Sequence, residues 1–423
     1  MLEAHPWTDD DRKLLAKMAN DSVDSNGDFE EEYGENTADL GTILSRISAL
    51  YDALKTVESR SAFVARAEKA ESVWSIGRSS WSKTVVVLKL YFKVLYSLNY
   101  ITKHLVGSVD DLLKAFPASD DGKLVALHQA LTGLPFGISV PVSRKIPEVM
   151  QRLERALYGL DPVKRAIRLE LVLSAHATGP ANPTPLLLVG PPGVGKTAVA
   201  EAIAEALGLP FVRISLAGHC DIPALKGSAY TWNSSGIGYL AQALIAAGAE
   251  NLVMLLDEAD KSGGYANSTV SNLYAEILDP DQAHRYQDLF LPGLEIDLSQ
   301  VQFVLTANDI RAVPDFATNR CKVIRLRSYT ADERLTIIRD FFPQQIVGAR
   351  RLGFTIFVAP DIARRLAAEA ESLREARRML TEMVAWAIEQ KEPGSFESLT
   401  IDTWDDCVLD ADGDSGQQIG FRP

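Results

Sequence analysis

Residues 185–208 read PLLLVGPPGVGKTAVAEAIAEALG, an apolar run, a glycine-rich turn and an alanine-rich helical stretch in direct succession. The turn is Gly190-Pro191-Pro192-Gly193-Val194-Gly195-Lys196-Thr197, a complete GxxxxGK[ST] pattern between a predicted strand and a predicted helix. Glycines let successive backbone N–H groups wrap the β- and γ-phosphates without Cβ clashes. Lys196 adds a point charge, and the Thr197 hydroxyl suits a Mg²⁺ ligand. ATP and Mg²⁺ are therefore the expected cofactors. Short apolar runs continue outward, NLVMLLDEAD and VQFVLTAND, alternating with helical stretches such as GYLAQALIAAGA. That alternation predicts an α/β P-loop module, a parallel sheet with crossover helices.

The strand NLVMLLDEAD ends in Asp257 and Glu258. A first carboxylate at a strand end can hold the Mg²⁺ shell, and a second can polarise a water for in-line attack on the γ-phosphate. Asn308 ends the next strand, where a neutral donor and acceptor can orient that water. Arg320, in DFATNRCKVIRL, offers a fixed cation for the charge that spreads in the transition state. After Tyr329 the strands disappear, and DERLTIIRDFF, DIARRLAAEAES and ARRMLTEMVAWAIEQ read as a small all-α lid domain.

The whole chain has 423 residues, enough for about three domains. Five segments are expected: an acidic flexible N-terminal segment (1–39), a helical N-terminal domain (40–140), the large α/β ATPase domain (146–328), the small helical domain (329–395) and an acidic C-terminal tail (396–423). A helix, IPEVMQRLERALYGL, opens the ATPase part after turn residues near Pro141 and Pro147. With 43 Lys+Arg against 56 Asp+Glu the net charge is −13, which gives no general attraction to nucleic acid or anionic lipid. Cys220, Cys321 and Cys407 form no CxxC pair, so neither a disulfide framework nor a zinc site is expected. The acidic N-terminus does not read as an export signal, and a cytoplasmic location is expected. The apolar stretch from Thr84 is broken by Lys89 and Lys93, which argues for a buried helix over a membrane span.

In order along the chain, LERALYGLDPVKRAI, GPPGVGKT, KGSAYTWNSSGIGYL, LLDEADK, YAEILDPDQ, FVLTAND and RCKVIRLRSYTADE resemble the AAA+ ATPase module of the Lon family, from about Ile146 to Gln390. The resemblance implies that Asp257 is the Walker B Mg²⁺ residue, Glu258 the catalytic carboxylate, Asn308 sensor 1 and Arg320 a finger reaching a neighbouring subunit's nucleotide. It implies that Tyr158, Gly159, Leu160 and Val163 flank the adenine. Sensor 2 falls on Arg377 by ungapped counting, whereas Ser372-Leu373-Arg374-Glu375 reads as a capping box and would place Arg374 early in that helix; Arg377 is preferred. A finger acting in trans implies a homo-oligomer, a hexameric ring. Trp232 and Asn233 align with the loop that grips a polypeptide in the central pore, with Tyr265 at the second pore loop. Trp-Asn departs from the family's more usual Tyr-aliphatic pair.

Two further departures are the absence of a Ser-Lys peptidase domain in this sequence and a helical, unrelated N-terminal region. The resemblance thus implies an unfoldase or chaperone-like remodelling ATPase without cleavage of its own, acting on a protein substrate or target complex and serving a separate peptidase. The alternatives are a nucleotide-switched assembly protein working through its N-terminal domain, and a nucleic-acid motor, which the charge and the aromatic loop disfavour.

Overall fold

The computed structural model describes residues 100–116, 121–142, 145–176, 182–217, 222–232, 235–261, 267–345, 355–389 and 398–404, with isolated positions between 56 and 96. The acidic segment expected at 1–39 and most of the acidic tail lie outside the described residues, as do Asn233 and Tyr265. The chain divides into two compact units. One comprises Met1–Arg144, Leu169–Leu187 and Leu207–Val323, and the other Lys145–Arg168, Leu188–Ala206 and Ile324–Pro423.

Helices α1 (Lys103–Ala115) and α2 (Asp121–Gly133) close the N-terminal region. Thr102 caps α1 by accepting the Leu105 N–H at 3.3 Å, which satisfies one of the donors a helix start leaves open. The apolar stretch from Thr84 is core, since Leu88, Tyr91, Phe92 and Leu95 are fully buried. Lys89, one of its interrupting charges, pairs with Asp110 of α1 at 3.5 Å. No described helix is long and apolar enough to cross a membrane. Arg60 is fully buried, with its guanidinium 4.5 Å from the Tyr100 ring centre and Nη1 donating to the Phe136 carbonyl at 2.5 Å. The segment after α2 is fastened in turn by Asn251, which exchanges two 2.7 Å bonds with the Val140 backbone.

Helix α3 (Ile146–Ala156), with Pro147 in its first turn, precedes α4 (Asp161–His176). Strand β1 (Leu186–Val189) is buried at every position and leads into α5 (Lys196–Leu207). Then come β2 (Phe211–Ser215), α6 (Tyr239–Ala247), whose C-terminus stops at left-handed Gly248, and β3 (Val253–Asp257). Next are α7 (Asn267–Ile277), the short strands β4 (Tyr286–Gln287) and β5 (Glu295–Ile296), β6 (Gln302–Ala307), α8 (Asp315–Arg320) and β7 (Lys322–Arg325). The main sheet runs β2-β3-β6-β1-β7. Strand β3, parallel to both β2 and β6, is buried throughout, which explains its unbroken apolar run before Asp257. This is the P-loop α/β architecture expected from the sequence.

Beyond Tyr329 the expected helices are present, including α9 (Pro360–Glu369) and α10 (Leu373–Glu389). Two strands join them that the periodicity did not announce: β8 (Thr355–Val358) pairs in parallel with β9 (Ser398–Ile401), the latter within the stretch expected to be tail. Ile356, Val358, Leu399 and Ile401 turn inward onto a core that holds Leu366 and Leu380. The alternation that buries them is only two residues deep on each strand.

Candidate functional site

In the unit that contains the glycine-rich turn, the backbone explains each glycine. A Cβ on Gly190 would lie 2.5 Å from the Leu326 carbonyl oxygen, so no larger residue fits beside that strand. Gly193 and Gly195 sit at φ +82° and +88°, a region L side chains rarely adopt. A Cβ on Gly193 would also meet the Ser372 Cβ at 3.1 Å, which places the start of α10 against the glycine-rich turn. Val194 is buried, and the Lys196 ammonium donates to the Gly190 and Pro191 carbonyls at 2.6 and 3.0 Å. Loop carbonyls thus hold the charge at the start of α5.

Ser372 caps α10 by accepting the Glu375 N–H at 3.2 Å, while the Glu375 carboxylate accepts the Glu371 N–H at 2.8 Å. The cap places Arg374 in the first turn, where it is exposed; Arg377, one turn further on, is half-buried. Between α3 and α4, Gly159 and Leu160 are both left-handed at φ +60° and +56°. Such a conformation costs a non-glycine residue on the order of 1–2 kcal/mol, and in Leu160 the fold sustains it. The Leu160 carbonyl starts α4 by accepting the Val163 N–H at 2.9 Å. Tyr158 stands edge-on to Phe341 at 5.7 Å, and Val163 is fully buried. Missed in the sequence was Lys164, a buried cation that pairs with Glu154.

In the other unit, Asp257 ends β3 with 5 % of its surface exposed. Its two carboxylate oxygens have separate partners: the Thr306 hydroxyl donates to Oδ1, and Arg213 Nη2 lies 2.6 Å from Oδ2. Glu258 follows at φ +62°, a strained conformation for a side chain of its size. Its N–H donates to Thr306 Oγ1 at 2.9 Å. One buried hydroxyl therefore ties together the two acidic residues that the sequence singled out. The Glu258 carboxylate lies 2.7 Å from Lys261 Nζ, and this hydrogen bond raises the lysine's pKa. Asn308, exposed, is aimed by its backbone, whose N–H donates to Asp260 Oδ2 at 2.9 Å; the Asp309 N–H shares that oxygen at 3.3 Å. Arg320 ends α8 with its guanidinium 4.9 Å from the Phe316 ring centre and 3.2 Å from Asp279 Oδ2. Thr306, Arg213, Asp260 and Asp279 did not emerge from the sequence reading. Thr306 carried a signal, as a polar residue within the apolar run Phe303–Ala307.

The same unit holds the loop with Trp232, which is 64 % exposed. Tyr230, two residues earlier, turns the other way and packs on Phe116 at 5.1 Å. The base of the loop is closed: the Ser228 N–H donates to the Gly236 carbonyl at 3.1 Å, and the Gly236 N–H to Ser228 Oγ at 3.2 Å. Beneath it Asp288, fully buried, accepts N–H bonds from Gly238 and Phe290, both at 2.8 Å. Burial pushes this carboxyl up to about 6, against the pull of those bonds and of Lys226.

The Thr197 hydroxyl in one unit and the Asp257 carboxylate in the other each offer a hard oxygen of the type that Mg²⁺ prefers. Among the described residues no cluster of three His, Cys, Asp or Glu could form a cage made of protein alone.

A parallel sheet of this order, with a GxxxxGK[ST] turn between its first strand and the next helix, defines a P-loop α/β class, and comparison with known proteins agrees. Residues 186–329 match the family described as ATPase family associated with various cellular activities (AAA), and this part of the chain is an AAA ATPase domain. Its relatives are Lon proteases. The mitochondrial Lon protease homolog of Phaeodactylum tricornutum is 35% identical over 289 residues, covering 66% of this chain and 32% of that protein. Lon protease 4 of Sorangium cellulosum is 39% identical over 217 residues, 51% of this chain and 27% of that protein. The Lon protease of Malacoplasma penetrans is 31% identical over 307 residues, 71% of this chain and 39% of that protein. The chain therefore spans well under half the length of these relatives.

Proposed function

We propose that residues 1–423 form a Mg²⁺-dependent ATPase that assembles into a homo-oligomeric ring, a hexamer, and pulls a polypeptide through it, remodelling the target without cutting it. The observation that carries this reading is Trp232, an exposed aromatic on a loop whose base is fastened to a buried carboxylate. A large exposed aromatic on a supported loop suits intermittent grip on an extended chain, because it offers apolar area at little entropic cost. Asn233 and, on a second loop, Tyr265 belong to the same proposed grip.

Within the ATPase cycle, residues 190–197 cradle the phosphates, and Tyr158, Gly159, Leu160 and Val163 flank the base. Thr197 and Asp257 would hold Mg²⁺, which supplies charge neutralisation at the phosphates when bound. Glu258 takes the proton of the attacking water and Asn308 orients that water. Arg320, steadied by Asp279, serves the nucleotide of the next subunit, and Arg377 serves as sensor 2 on α10. The proteins remodelled, a partner peptidase and a cytoplasmic site of action belong to the same proposal.

Steady-state ATPase of the wild type and of Trp232→Ala, with and without an unfolded protein, tests it. Unfolded chain should raise wild-type turnover and leave the variant at its basal rate. Equal stimulation of both would remove Trp232 from substrate contact.

A further inference from the structure

Asp257 lies between two strands whose registers are known. Arg213 on β2 is opposite Leu255 on β3, and Leu255 is opposite Val304 on β6. Side chains alternate along a strand, so Arg213, Asp257 and Thr306 project from the same face of three neighbouring strands. The contacts agree: Thr306 occupies one carboxylate oxygen and Arg213 the other. A carboxylate this buried needs a partner charge and hydrogen bonds, and here the guanidinium supplies the charge. The arginine differs from its partner in one respect. Its side chain is 52% exposed against 8% for Asp257, so it can let go without opening the core.

With Asp257 as the metal-side carboxylate, a bound Mg²⁺ would draw on the same group as Arg213, and two cations drawn to one carboxylate repel. We infer that Arg213 is a positioning residue, a stand-in counter-ion that balances Asp257 while the site holds no metal and thereby sets how much Mg²⁺ is needed to load nucleotide. The inference rests on Asp257 as the metal-side carboxylate.

The test uses the full chain and a fluorescent ATP analogue titrated at rising Mg²⁺. Arg213→Gln should lower the Mg²⁺ concentration for half-maximal binding by roughly threefold to tenfold, because a competing charge has gone. Arg213→Lys keeps that charge and should stay close to the wild type. Thermal melting gives an independent readout. Arg213→Gln should melt below the wild type without metal, and the gap should close with saturating Mg²⁺ and nucleotide. The same melting deficit in both conditions, or an unchanged or higher Mg²⁺ requirement, would overturn the inference. Asp257→Asn separates the two levels. If it leaves the Mg²⁺ requirement unmoved, the metal role of Asp257 falls and the inference with it. If it raises the requirement while Arg213→Gln does nothing, only the role of Arg213 falls.

Discussion

Thr306→Val is the sharpest probe of the acidic strand end. Valine matches threonine in shape, so the substitution opens no cavity; it removes only the hydroxyl, at a position 1% exposed. Two bonds go with it, the donation to the Asp257 carboxylate and the acceptance of the Glu258 N–H. A bond to an ionised group contributes about 1.5–3 kcal/mol, and a stranded N–H costs about 1–3 kcal/mol. The two share one oxygen and do not simply add, so a loss of about 3 kcal/mol is expected, or roughly 5 °C in melting temperature for a unit of this size. Glu258 also loses the bond that supports its left-handed backbone, and turnover should fall roughly tenfold or more as its carboxylate drifts. Urea denaturation and steady-state ATPase measure both effects, with Thr306→Ser expected to behave as wild type. A Thr306→Val protein that melts with the wild type and hydrolyses at its rate would refute the reasoning.

Glu258→Gln should keep nucleotide affinity while abolishing turnover; affinity measured by fluorescent nucleotide and phosphate release together check it, and unchanged turnover would exclude Glu258 as the base. Arg320→Ala should depress ATPase only in the assembled state, so rates compared across protein concentration decide whether it acts in trans, and an equal loss in isolated subunits would show that it does not. Glu250 yields a pH signature, since burial lifts its carboxyl to about 7 despite the Gly137 N–H at 2.7 Å. The native state then holds a proton that the unfolded chain has released, and stability falls as pH rises from 4.5 through 7. Between pH 6 and 8 this amounts to about 1 kcal/mol, largely above the range where Asp288 titrates. Glu250→Gln should flatten that slope in chemical denaturation, and an unchanged slope would contradict the assignment.

What the sequence made legible is what lies contiguous in it. Gly190 to Thr197 is a single turn whose residue types are each demanded by backbone geometry, so the motif reads without a structure. The apolar run before Asp257 likewise announced a strand buried on both faces. Arg213, Thr306 and Asp288 escaped because their roles come from neighbours across strands or beneath a loop, and register is not written in local periodicity. An arginine inside FVRIS and a threonine inside VQFVLTAND were the available hints, polar residues within mostly apolar strands. The pair β8 and β9 was missed for a related reason, since each is four residues long and they lie far apart in the chain. Trp232 was legible as an aromatic on a polar loop, but that it points outward while Tyr230 packs on Phe116 is decided by tertiary contacts.

The central claim is that hydrolysis moves a polypeptide. A fluorescent protein with an unstructured tail, mixed with the full chain and Mg-ATP, tests it directly through loss of fluorescence. The expected result is ATP-dependent decay with the wild type, with the substrate recovered at full length, and no decay with Glu258→Gln or Trp232→Ala. Brisk ATP hydrolysis with the fluorescence intact, on this tail and on others of different composition, would contradict the claim.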